Sequence, residues 1–394
     1  MDPSDSGYLL IADITGYTRF LKDSELKHAR GILEQLFAAL LDRLRSPFVL
    51  SNIQGDAILA HARAEAIADG QQVLDAVEAL YCGFADAREL MLHNTSCTCS
   101  ACRNIANLDL KLFVHHGSYA EQSIAGRREL AGPEVILIHR LLKNSITATT
   151  GIRAYAAFTQ AAVWATALVD YFDNVAHHVE RDEQLGDTSL RVLDMRPAWQ
   201  AHTAQNVVLV DDHAPRWFPD VTVDLPVPPD RSWHYLTDPD LRAAWGVGVV
   251  RLTRTGTDRG RVTAGTVDHC AHGDGQVMQF TVVDWRPCEH VTYHLSLPMG
   301  GIAPIMIRVS PIPSGSRVLV RAAKPLTPRI LQQAVLRFMM RNVGKWAHNF
   351  WVQSLANMIE IAKRDAAKGL VVTMVSPPTQ QDIRSAVDSC LAEF

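Results

Sequence analysis

Two short stretches hold residue types that could do chemistry together. In Leu9-Leu10-Ile11-Ala12-Asp13-Ile14-Thr15-Gly16-Tyr17-Thr18, an apolar run ends on a carboxylate and then a glycine turn. In Ile53-Gln54-Gly55-Asp56-Ala57-Ile58-Leu59-Ala60, a Gly-Asp pair interrupts a second apolar run. Carboxylates at the ends of neighbouring strands suit a divalent-metal, phosphate-handling site, because hard cations prefer oxygen ligands. The same residues also serve as ordinary turn and helix-cap residues. A third stretch, from His93 on, crowds Cys97, Cys99 and Cys102 into one loop. Thiolates at this spacing can curl around a tetrahedral Zn²⁺, with His93 or Cys82 as the fourth ligand. Reduced surface thiols or one redox pair are the alternatives.

The elements that must position these residues follow from periodicity. Residues 24–45 form an amphipathic helix, with Leu26, Ala29, Ile32, Leu33, Leu36, Phe37, Leu40, Leu41 and Leu44 at three- and four-residue spacing. Residues 48–50 and 57–61 make a hairpin with Gly55-Asp56 near its turn, and residues 66–91 a second helix. Leu108, Leu110, Leu112 and Val114 alternate as a strand. His115 and His116, which follow it, face opposite sides and cannot readily share one ion. Pro133 opens a third helix over residues 134–143. Prolines then punctuate a connecting region. Strand signals recur at 247–253, 260–270, 276–285, 290–297, 305–309 and 316–322. A long helix over residues 327–364 follows, its apolar stripe marked by Val335, Met339, Val343, Trp346 and Phe350.

The totals set limits. With 394 residues, 47% of them hydrophobic and 20% charged, the chain reads as globular and of two domains. A net charge of −4 without a basic stripe excludes nucleic acid as the expected partner. No apolar run approaches the ~20 residues that span a bilayer. The acidic opening residues lack the features of a secretory signal, which gives a cytoplasmic expectation. Seven cysteines without a leader argue against a disulfide framework.

With those motifs in view, residues 7–195 resemble the catalytic domain of class III nucleotidyl (adenylate and guanylate) cyclases, in divergent form. The resemblance rests on residues 12–18, on Gly55-Asp56, on His115-His116-Gly117, and on Leu130-Ala131-Gly132-Pro133-Glu134-Val135-Ile136-Leu137-Ile138-His139-Arg140. It implies a ferredoxin-like fold and a two-metal Mg²⁺ or Mn²⁺ site at Asp13 and Asp56. The amides of Ile14, Thr15, Gly16 and Tyr17 would face the phosphates. Arg140 would counter transition-state charge from the other subunit of a homodimer. Two positions depart from the family pattern. Ile136 stands where an asparagine orients the ribose, and Asn52 where a lysine selects adenine. Glu129 aligns with the other base-selecting position. The cysteine loop is an insertion in this framework.

Residues 219–366 resemble the START/Bet v 1-like superfamily, also called SRPBCC or polyketide-cyclase-like. This implies a helix-grip fold, a curved antiparallel sheet around a long C-terminal helix, enclosing a cavity for an apolar small molecule or lipid. Trp233, Trp245, Met278, Phe280, Tyr293, Met306, Phe338, Met339 and Trp346 are the candidate lining residues, with plain core packing as the alternative for each. His269, His294 and Arg308 are candidates to orient a head group.

The expectation is therefore an α+β chain with a cyclase-like domain at 1–200, a linker at 201–218, a START-like domain at 219–366 and a tail at 367–394. Its expected role is ligand-regulated signalling through a domain that binds metal–nucleoside triphosphate and, where competent, forms a cyclic nucleotide. A catalytically inactive sensor or dimerisation module is one alternative. A carrier or enzyme acting through the C-terminal domain is the other.

Overall fold

The computed structural model describes residues 5–94, 97, 99–124, 127–182, 186–204, 210–257, 260–273, 275–298, 301–326, 330–367, 381, 384–385 and 387–388. Within these, the side chains of 94, 123–124, 127–128, 204, 330–337 and 339–342 lie outside the description. The chain divides into two compact units, Met1–Ala204 with Val375–Phe394, and Gln205–Met374. Among the described residues, no helix is long and apolar enough to cross a membrane.

The strands of the first unit are β1 (Asp5–Thr15), β2 (Val49–Gln54), β3 (Ala57–Arg63), β4 (Asp109–Ile124), β5 (Arg127–Ala131), β6 (Tyr155–Thr159), β7 (Ala176–Asp182) and β8 (Gly186–Asp194). Its helices are α1 (Tyr17–Lys22), α2 (Leu26–Arg43), α3 (Gln71–Asn94), α4 (Ser100–Asn104), α5 (Pro133–Arg140), α6 (Ile146–Thr150), α7 (Gln160–Thr166), α8 (Val169–Phe172) and α9 (Met195–Ala204). The sheet runs β2-β3-β1-β4-β6-β8-β7, with β5 paired to β4. Its β4-β1-β3-β2 part is the ferredoxin-like arrangement. β1 is central because both its faces are apolar. Tyr8, Leu10, Ala12 and Ile14 join the core beneath α2 and α3, while Leu9 and Ile11 join the one beneath α5. The tail does not stand alone, since Val387 is buried in the core under α2 and Asp388 bonds Arg30.

The second unit holds β9 (Val221–Leu225), α10 (Pro229–Thr237), α11 (Pro239–Trp245), β10 (Val249–Thr255), β11 (Val267–His272), β12 (Val277–Arg286), β13 (His290–Leu297), β14 (Gly301–Ile312), β15 (Gly315–Ala322) and α12 (Ile330–Ala367). Its antiparallel sheet runs β10-β11-β12-β13-β14-β15-β9. Register shifts at Val249/Arg251 and Val282/Asp284 are bulges of the kind that bend a sheet. α12 packs through Ala347, Trp351, Leu355, Met358 and Ala362. The expected stripe is thus rotated: Trp346 is about half exposed, and Val335 and Met339 lie among the side chains outside the description.

Gly315 opens β15 at φ +142°, where a Cβ would collide with the carbonyl of Leu225. Gly315→Ala is expected to lower the unfolding free energy of this unit by about 1–3 kcal/mol in urea titration. A variant as stable as the parent chain contradicts that packing.

Candidate functional site

The end of β1 brings the two aspartates together through the backbone. Asp13 pairs in register with Ala57, and the Ile14 amide donates to the Asp56 carbonyl at 3.1 Å. That amide is therefore engaged within the chain and does not face a phosphate, contrary to expectation. Gly16 takes φ +88° and caps α1, a short helix whose Tyr17 is buried. The Gly16 site is closed from behind, since a Cβ there would lie 2.8 Å from the Asn107 carbonyl.

Side-chain parity assigns the faces. Asp13 shares its sheet face with Leu9, Ile11 and the cross-strand residues Ala57 and Lys111, the face covered by α5. Asn52, opposite Leu59, lies on that face too. Asp13 is 7% exposed, and Lys111 Nζ donates to its Oδ2 at 2.9 Å and to the Leu142 carbonyl at 3.1 Å. Burial pushes the Asp13 carboxyl above the usual carboxylate range, and the Lys111 ammonium pulls it back only in part. Asp56 sits half-buried in the β2–β3 turn. Two buried oxygens nearby in the chain, Thr15 Oγ1 and Asn52 Oδ1, have no hydrogen-bond partner among the described residues.

The donor set here is oxygen-rich, as Mg²⁺ or Mn²⁺ requires. Yet the chain's own ammonium already neutralises one of the two carboxylates. A divalent cation would have to displace Lys111 from Asp13, so no catalytic step is derived through a two-metal centre. Arg140, at the end of α5, is also engaged at home: its Nη1 donates to both oxygens of Asp182, at 3.0 and 3.1 Å. Ile136 is 54% exposed on the same helix. Glu129 lies on β5 opposite Gln122, half-buried. His115 and His116 do face opposite sides. His115 contacts Glu134 and Thr159, and His116 packs on Tyr8. Burial holds His115 below the ordinary histidine range, against the pull of Glu134.

The cysteine loop has a partner that the sequence reading missed. His28 Nδ1, on α2, lies 3.1 Å from Cys99 Sγ, 3.6 Å from Cys97 Sγ and 4.0 Å from Cys102 Sγ. All four ligand atoms lie within 4.8 Å of one another, so the cluster could hold a metal ion. His93, the expected fourth ligand, is instead exposed and bonds the Glu89 carbonyl. Cys82 is buried on α3. His28 is 69 residues from Cys97 and sits on an ordinary amphipathic helix, so no local spacing signals it.

The second unit contains a cavity between sheet and α12. Its volume is about 70 Å³. Trp245, Met278, Phe280 and Trp346 are among the residues that line it. Trp217, Trp351, Phe350, His272 and Arg242 line it as well, and sequence reasoning passed them over. Four expected residues do not line it. Trp233 packs on Trp285, with ring centroids 4.9 Å apart. Met306 follows the lining residue Ile305 on β14 and so points to the opposite face. Phe338 is 75% exposed. Tyr293 lies just beneath the wall, ring against Phe280 and hydroxyl accepting from Arg242 Nη1 at 3.3 Å. Met339 is among the side chains outside the description. Of the head-group candidates, His269 lies beside Thr255, while His294 and Arg308 are not among the lining residues.

Arg242 is the polar anchor of this cavity. It is 5% exposed, its Nη1 donates to Asp268 Oδ2 at 2.9 Å, and its guanidinium lies over the rings of Phe280 and Tyr293. Arg254 donates to both oxygens of Asp268, at 2.6 and 3.1 Å. Asp268 is fully buried. Burial pushes the Tyr293 hydroxyl up to about 12 and raises the Cys270 thiol, so both stay neutral. Two guanidiniums thus share one carboxylate.

Comparison with known proteins follows the same division. Residues 220–360 match the family described as polyketide cyclase / dehydrase and lipid transport. Residues 33–150 match a family described as a protein of unknown function, DUF2652. An uncharacterised protein of Mycobacterium tuberculosis, Rv2561/Rv2562, is 33% identical over 134 residues, 32% of this chain. The chain spans about 60% of the length of that curated relative. Among solved structures, the guanylyl cyclase Cya2 is similar at 11% identity and a TM-score of 0.37, over 48% of this chain and 92% of that one. Protein MLL2253 of Mesorhizobium loti is similar at 16% identity and a TM-score of 0.29, over 37% of this chain and 96% of that one.

Proposed function

We propose that the chain is a ligand-binding signalling protein whose C-terminal domain takes an amphipathic small molecule with an apolar body and an anionic head. The observation that carries this reading is the unbalanced charge beside an otherwise apolar cavity: among the described residues, Arg242 and Arg254 stand against the one carboxylate of Asp268. A buried charge without full compensation is costly, and an anionic head group on Arg242 would remove that cost. A carboxylate is the simplest such head, since a guanidinium matches its geometry. The match of residues 220–360 to a family described by polyketide and lipid chemistry supports the same reading.

For the N-terminal domain, we favour a cyclase-homologous module that binds a metal–nucleoside triphosphate without cyclising it. The motif order at Asp13, Asp56 and Arg140 supports the kinship, and the unpartnered Thr15 and Asn52 oxygens support a ligand. Against turnover stand the Lys111 and Asp182 engagements and the apolar Ile136, which cannot orient a ribose.

Three outcomes follow. Decanoic acid should bind with at least tenfold higher affinity than decanol by titration calorimetry, and Arg242→Met should abolish that preference while leaving decanol binding within about twofold. Equal affinities for acid and alcohol in the parent chain would overturn the anionic-head reading. Incubation with each nucleoside triphosphate and Mn²⁺ should give binding of at least one but no cyclic product; accumulation of a cyclic nucleotide would restore the catalytic reading. Lys111→Met should cost roughly 3 kcal/mol of stability, because it strands the buried Asp13 carboxylate. The double variant Lys111→Met/Asp13→Asn should recover most of that loss. Additive losses in the double variant would mean that the pair is not coupled.

A further inference from the structure

We propose that His28, Cys97, Cys99 and Cys102 bind one Zn²⁺ as a structural site. The argument begins with the imidazole. Nδ1 of a neutral histidine has one lone pair and can accept one hydrogen bond. Here three sulfurs lie 3.1, 3.6 and 4.0 Å from that single nitrogen. Hydrogen bonding accounts for one of these approaches, not for three. A cation at the centre accounts for all of them. With Zn–S about 2.3 Å and Zn–N about 2.0 Å, tetrahedral geometry sets neighbouring ligand atoms roughly 3.5–3.8 Å apart. The observed separations bracket those values, and no pair of ligand atoms in the cluster is more than 4.8 Å apart.

The chemistry of the set selects the metal. Three thiolates and one imidazole make a soft, closed, tetrahedral shell, which favours Zn²⁺ over the hard oxygen-seeking cations. On binding, each thiol loses its proton to solvent, and no electron is transferred. The surroundings are already built for thiolate. The Cys102 amide points at Cys99 Sγ at 3.4 Å, the N–H···S contact that stabilises a bound sulfur. Glu25, on the turn of chain before His28, accepts from the Ser100 and Ala101 amides at 3.2 and 3.0 Å and so ties the start of α4 to the start of α2. Asn104 adds a bond to the Asp23 carbonyl at 3.2 Å.

The site would staple the cysteine loop and α4 onto α2. Its consequence reaches the β1 turn, because Asn107, in the segment after α4, is the backbone that closes the Gly16 site from behind. Zinc would therefore hold the floor of the turn after Asp13 in place, whether or not that turn binds a nucleotide.

Metal analysis of the full chain, produced with zinc and dialysed against EDTA, should find about one Zn²⁺ per chain. His28→Ala and Cys99→Ser should each lose more than nine-tenths of it, while His93→Ala and Cys82→Ala keep it. His28→Cys guards against simple misfolding: it should retain a metal, and its Co²⁺ form should show stronger sulfur-to-metal charge transfer than the parent's. A parent chain without metal, or carrying a disulfide between two of these cysteines, would overturn the proposal. So would a His28→Ala variant that keeps its zinc.

Discussion

The C-terminal domain depends on how it manages buried charge. Asp268 lies near the start of β11 with no exposure, an arrangement tolerable only because Arg242 and Arg254 both donate to it. Desolvating three charges costs several kcal/mol for each, and their mutual attraction returns that only with good geometry. The cluster also fixes the cavity. Arg242 comes from α11, Arg254 from β10 and Asp268 from β11, so one carboxylate ties the short helix to the edge of the sheet. Above it the wall is almost entirely aromatic and aliphatic. An apolar cavity with a positive floor discriminates among ligands in a way that an apolar cavity alone cannot.

The same constraint acts in the N-terminal domain with a different result. Asp13 is buried where a cation is wanted, and the chain supplies one from the facing strand. The cross-strand pairing Asp13↔Lys111 makes the ion pair a consequence of register: shifting either strand by one residue would send one partner to the other face. A divalent cation and Lys111 would compete for the same carboxylate. At the end of β1 the buried carboxylate thus has its charge met from within.

Much of the fold was legible because it rests on periodicity. The apolar run of β1, the three- and four-residue spacing of α2 and the alternation at residues 108–114 correspond to elements close to the expected bounds. What was not legible is non-local. His28 reaches the cysteine loop only because α2 and α4 pack together, and Arg242 is an isolated cation in a short helix until β11 sets Asp268 beneath it. Phase errors account for other differences. Met306 and Ile305 are indistinguishable as apolar residues, yet strand parity sends one into the wall and the other away from it. On α12 Trp346 and Phe350 suggested the buried stripe, while Ala347, Trp351, Leu355, Met358 and Ala362 occupy it and Phe350 packs only partly buried beside it. Large aromatic side chains at a cavity mouth look like core residues when only their type is known.

The central claim is that the cavity floor carries an excess positive charge available to a ligand. The most direct measurement is the ¹³C chemical shift of carboxyl-labelled decanoic acid, followed through a pH titration while bound to the intact chain. The account predicts a carboxyl group that stays ionised well below the pH at which the free acid takes up its proton, with the depression lost in Arg242→Met. A bound acid that titrates at or above the free value in the parent chain would contradict it.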